Sequence, residues 1–93
     1  MRIIGQIEHP ALKITVFKMD NKLSVKFETG LYEQTFKFRE SEELKGFEDM
    51  QKVVDQPFIN FVLDEFSRMH RAKNEAIGRA MPLQEQQEFE TII

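Results

Sequence analysis

Three segments near the start of the chain, "LKITVFKM" (12–19), "KLSVKFET" (22–29) and "LYEQTFKFR" (31–39), alternate apolar and polar positions, and the breaks between them fall at Asp20-Asn21 and Thr29-Gly30. β-Branched and aromatic residues at period two build half-buried strands, while Asp, Asn and Gly tolerate the positive φ that a two-residue hairpin loop needs. The spacing predicts two tight hairpins, and each hairpin imposes a register. With Met19 opposite Lys22, Val16 faces Val25 and Ile14 faces Phe27; with Glu28 opposite Leu31, Phe27 faces Tyr32 and Leu23 faces Phe36. Cross-strand partners share a face, so Leu12, Ile14, Val16, Leu23, Val25, Phe27, Tyr32, Phe36 and Phe38 all point to one side. A meander with one buried face follows.

A strand over 2–7 precedes it, joined through the loop 8–11, where Pro10 cannot donate to a ladder. Pairing Ile7 with Leu12 turns Ile3 inward and sets Gly5 opposite Ile14. The other face of the resulting four-stranded antiparallel sheet then carries Arg2, Gln6, Lys13, Thr15, Phe17, Met19, Lys22, Ser24, Lys26, Glu33, Thr35 and Lys37.

Beyond Arg39 the apolar period changes from two to three and four. Leu44, Phe47, Met50 or Gln51, and Val54 predict a helix over 42–55, weakened in its first turn by Gly46. Pro57 disfavours helical backbone at the residue before it, which places a break there and a second helix over 57–81, capped by Asp55 or Gln56. At about 100° per residue, Phe58, Ile59, Val62, Leu63, Phe66, Met69, Ala76, Ile77, Ala80 and Met81 fall on one arc. Opposite them lie Asp64, Arg68, Arg71, Glu75 and Arg79, with Asp64–Arg68 and Arg71–Glu75 spaced for ion pairing. The basic stretch "SRMHRAKNEAIGR" (67–79) is accordingly read as one solvated helix face in an acidic chain, not as a site.

His70 and Lys73 depart from that pattern, because both project into the apolar arc. A helix of about 25 residues reaches roughly 38 Å, against roughly 27 Å for an eight-residue strand, so its end is expected to overhang the sheet. The stripe His70, Lys73, Ala76, Ile77 and Ala80 is therefore a candidate interface, and a two-fold homodimer is the commonest way to cover one. The tail over 82–93, "PLQEQQEFETII", carries Phe89, Ile92 and Ile93 and is expected to fray or to dock on a partner.

The 93 residues suffice for one core, and nine Phe give it a large apolar payload. A net charge of -3 argues against attraction of the whole molecule to nucleic acid or to an anionic membrane. With no Cys, thiol catalysis and thiolate zinc sites are excluded. No apolar run reaches the length of a signal peptide or a membrane span, so a cytoplasmic location without membrane association is expected.

Catalytic chemistry finds no constellation. His9 and His70 are isolated and meet neither a metal's ligand count nor a triad's geometry, and no phosphate loop, nucleophile elbow or dinucleotide fingerprint is present. The reading is a protein that is not an enzyme and takes no metal or cofactor. Two binding classes remain. On the outer sheet face, Arg2, Phe17, Met19, Lys22 and Lys37 form a candidate binding surface; Phe17 among basic residues suits single-stranded nucleic acid, although Lys26 facing Glu33 and Lys13 facing Glu28 neutralise much of the charge. The strip Phe17, Met19 and Leu31 suits a protein partner instead.

The stretches "HPALKITVFKMDNKLSVKFETG" and "DQPFINFVLDEF" resemble a family of small uncharacterised conserved proteins of the Bacteroides group of bacteria, over most of residues 1–81. The resemblance implies no activity and assigns no site residue. The expectation is an α+β domain, a four-stranded antiparallel meander followed by two helices packed on one face, acting as a homodimeric binding or assembly module.

Overall fold

In the computed structural model, which describes residues 1–81, each hairpin closes on a residue of positive φ. Asp20 (φ 53°) and Gly30 (φ 53°) are each the first residue of a two-residue loop, between Met19 and Lys22 and between Thr29 and Tyr32. Asp accepts this conformation better than most side chains and Gly has none to clash. The strands are β1 (Arg2–Ile7), β2 (Lys13–Met19), β3 (Lys22–Thr29) and β4 (Tyr32–Arg39), in the order β1-β2-β3-β4 with every pair antiparallel. Two helices follow, α1 (Phe47–Val53) and α2 (Gln56–Ala80).

The β2–β3 register is the expected one, with Ile14 on Phe27 and Val16 on Val25. The other two pairs are each shifted by two residues. Ile7 lies opposite Ile14 rather than Leu12, and Phe27 opposite Gln34 rather than Tyr32. In the second hairpin the loop is Gly30-Leu31, not Thr29-Gly30, because the glycine occupies the positive-φ position at the start of the loop. A two-residue shift preserves which side each side chain faces, so the buried face survives: Leu12, Ile14, Val16, Leu23, Val25 and Phe27 are all buried.

One expectation on β1 is overturned. The register breaks between Ile3 and Gly5, a bulge that leaves Ile4 unpaired and sets Ile3 opposite Phe17. Ile3 therefore points outward and is 59% exposed. Arg2 is displaced the other way, opposite Lys18, whose cross-strand row continues to Leu23 and Phe38 on the buried side.

Helix α1 begins five residues later than 42–55 predicts. Ser41 and Leu44 close a turn on each other, the Ser41 N–H donating to the Leu44 carbonyl (2.9 Å) and the Leu44 N–H to the Ser41 carbonyl (3.2 Å). Gly46 then serves as the cap residue, and the Asp49 carboxylate accepts from the Lys45 N–H (3.0 Å). The helix reaches the sheet at Gly5, where a Cβ would overlap the ring of Phe47. Met50 and Val54 are buried.

The second helix starts at Gln56, one residue before the expected 57, so the break falls at Val54 and Asp55, and Asp55 rather than Gln56 is the cap. The Asp55 carboxylate accepts from the Phe58 N–H (3.0 Å) and its carbonyl takes the Ile59 N–H (3.0 Å), while Pro57 sits in the first turn, where its missing donor costs nothing. Phe58 contacts both Phe27 and Phe36 edge to face, at centroid distances of 5.3 and 5.0 Å. Gln34 donates from Nε2 to the Val62 carbonyl (3.0 Å). Ile59 and Val62 complete the core.

By its contacts the described chain falls into two compact units, Met1–Leu63 and a second that begins at Asp64 within the uninterrupted α2. The first holds the sheet, α1 and the opening turns of α2. Within it the architecture is α+β, with helices on one face of an antiparallel sheet.

Candidate functional site: the outer sheet face

Cross-strand rows define the face turned away from the helices. One row is Ile3, Phe17, Ser24 and Lys37; the next, toward the Asp20 loop, is Met19, Lys22 and Arg39. Toward the other end lie Gln6, Thr15, Lys26 and Thr35, and then Lys13, Glu28 and Glu33. Four of the five candidates, Phe17, Met19, Lys22 and Lys37, are thus brought together in two adjacent rows. Arg2 is not, because the bulge carries it to the opposite face.

The two ends differ electrostatically. Glu28 and Glu33 stand directly opposite each other, a repulsive arrangement that Lys26 relieves by pairing with both, at 3.9 Å and 3.2 Å. That end is self-neutralised, and Lys26 keeps its acidic partner although its direct neighbour is Thr35 rather than Glu33. At the other end Lys22, Lys37 and Arg39 take part in no ion pair among the described residues. Beside these three cations lie Ile3 and Met19, 59% and 47% exposed, and the half-buried Phe17.

Leu31 does not extend this strip. It is 84% exposed in the Gly30-Leu31 loop, at the end of the sheet opposite Met19, since successive hairpin loops alternate between ends. Sequence reasoning missed Ile3 and Arg39. Continuing the alternation of β4 by one step finds Arg39, whereas the bulge that exposes Ile3 leaves no signal beyond the small residue at Gly5.

The second half of α2 carries the other candidates. His70 is half-buried, and its Nε2 lies 3.1 Å from Asn74 Nδ2, so the ring is held by its own helix. Ile77 is half-buried; Lys73, Ala76 and Ala80 are exposed. Arg68, Arg71 and Arg79 are exposed as the solvated-face reading requires, but Arg68 pairs with Glu65 (3.3 Å) in place of Asp64. The expected docking of the tail over 82–93 lies outside the described residues.

His9 accepts at Nδ1 from the Ala11 N–H (3.1 Å), which shapes the loop between β1 and β2 beside an open groove of about 640 Å³. No group of three or more His, Asp or Glu side chains converges among the described residues. No described helix is long and apolar enough to cross a membrane. The geometry defines the class of the protein, an α+β meander with a divided solvent face. Comparison with known protein families, curated proteins and solved structures gives no match.

Proposed function

We propose that the protein is a small non-catalytic assembly module of the cytoplasm that acts as a homodimer through protein–protein contacts. The observation that carries this reading is apolar surface left in solvent on two sides of a unit whose core is closed: Ile3 and Met19 are 59% and 47% exposed on the outer sheet face and Phe61 is 55% exposed on α2, while Val16, Leu23, Val25, Phe27 and Val62 are fully covered. Exposed apolar side chains clustered beside polar ones mark contact surfaces. Light scattering behind size exclusion on the full chain is expected to give a mass of twice 11.0 kDa that holds across dilution. A monomer at every concentration overturns the reading.

Single-stranded nucleic acid on the outer face is the second reading, favoured by Lys22, Lys37 and Arg39, which form no ion pair among the described residues, beside Phe17. Phe17→Ser tests this second reading: loss of oligonucleotide binding follows from it, and binding equal to the wild type overturns it.

A further inference from the structure

The two edges of the sheet are unlike. On β1 the bulge at Ile4 interrupts the strand, a device that discourages pairing with another chain. β4 is eight residues of unbroken alternation with neither bulge nor Pro. Its free edge can be derived from the ladder. The two-residue loop makes Thr29 and Tyr32 a hydrogen-bonded pair, and the Glu40 N–H donating to the Asn21 carbonyl (2.8 Å) continues the same set at the far end. The intervening residues Glu33, Thr35, Lys37 and Arg39 therefore turn their backbone N–H and C=O groups away from β3. Among the described residues none of those groups has a backbone partner.

We infer that this edge pairs antiparallel with β4 of a second copy, about a two-fold axis at Phe36, forming one continuous eight-stranded sheet. Two observations select that occupant. First, the charges of β4 are self-complementary about Phe36. An antiparallel two-fold there sets Glu33 opposite the partner's Arg39 and Thr35 opposite the partner's Lys37, and it joins the residues whose backbone groups point outward. Centring the axis on Lys37 would set lysine against lysine. Second, Phe61 follows Phe58 by three residues, hence on the same flank of α2, and Phe58 rests on Phe36 of β4. Phe61 is 55% exposed on that flank, where a second copy would cover it.

This inference rests on the homodimer reading and names the surface that serves it. The test uses charge reversal in the full chain. Glu33→Arg and Arg39→Glu are each expected to weaken self-association about tenfold or more, because each turns two attractive contacts into two repulsive ones. An equimolar mixture of the two variants is expected to recover a dimer of wild-type affinity, since the reversed charges match across the mixed pair. Phe61→Ser is expected to weaken the dimer with an unchanged circular dichroism spectrum, and it decides the matter should either charge variant fail to fold. A wild-type dimer indifferent to these changes, or one lost on Ala76→Glu and not on Glu33→Arg, overturns the β4 interface and leaves the homodimer standing. A wild-type monomer overturns both, and Lys37 and Arg39 are then guards of an edge that pairs with nothing.

Discussion

Gly5 is the residue whose missing side chain matters most to the fold. Phe47 occupies the space a Cβ would take, so the contact of α1 with β1 depends on a bare backbone there. Gly5→Val is expected to lower stability by about 2 kcal/mol, the usual cost of overpacking, measured as a shift of the urea midpoint with little change in slope. Gly46, with open space around its Cβ position and an extended φ, should be far more tolerant. From the sequence Gly5 was only a strand position expected opposite Ile14; the ring that fills the space beside it, forty-two positions later in the chain, was visible only in the fold. Ile3 makes the complementary point. Period-two patterning put it in the core, and one unpaired residue at position 4 was enough to turn it into solvent beside Phe17.

At the scale of elements, strand limits, and facing on β2, β3 and β4, were legible because each strand carries its own alternation, whereas the registers of β1–β2 and β3–β4 were legible only to within two residues. A slip of two keeps every side chain on its proper face, so patterning is blind to it; the closing pair of each hairpin decides. Helix starts follow from capping. Ser41 followed by acidic residues has the composition of a helix start, yet its backbone closes on Leu44 and the helix waits for Gly46. Asp55 is different, because its carboxylate bonds the Phe58 N–H just before the ring that packs on Phe27 and Phe36. Asp55→Ala is expected to cost about 1 kcal/mol, read as a lowered melting temperature, and Asp55→Ser to recover most of it.

For the whole molecule the open question is how surface left by a closed core is used. Phe27, Phe36 and Phe58 form a ring cluster, with Phe36 at 5.9 Å from Phe27, and that cluster supports β4 from within while its outer edge has no backbone partner among the described residues. A strand held rigid on one side and free on the other is well disposed to add a second chain, since little ordering entropy remains to be lost. The dimer mass expected in solution, twice 11.0 kDa, is therefore a statement about β4 as much as about composition. The stripe of His70, Lys73, Ala76, Ile77 and Ala80 is the competing surface, and the response to Ala76→Glu against Glu33→Arg assigns the contact to one or the other.

By itself the sequence determined what is local: four strands, the facing of β2, β3 and β4, the Asp20-Asn21 loop, a cap at Asp55 or Gln56 and the solvated basic face of α2. Each of these follows from chemistry within a few residues of chain. The tertiary structure decided what depends on pairs far apart in sequence. It set the two-residue register shifts, exposed Ile3 through the bulge and, among the described residues, gathered Lys22, Lys37 and Arg39 without an acidic partner and left the β4 edge open. A hydrogen-bonding edge belongs to no single residue; it exists only once a neighbouring strand has taken one side of the backbone and nothing has taken the other.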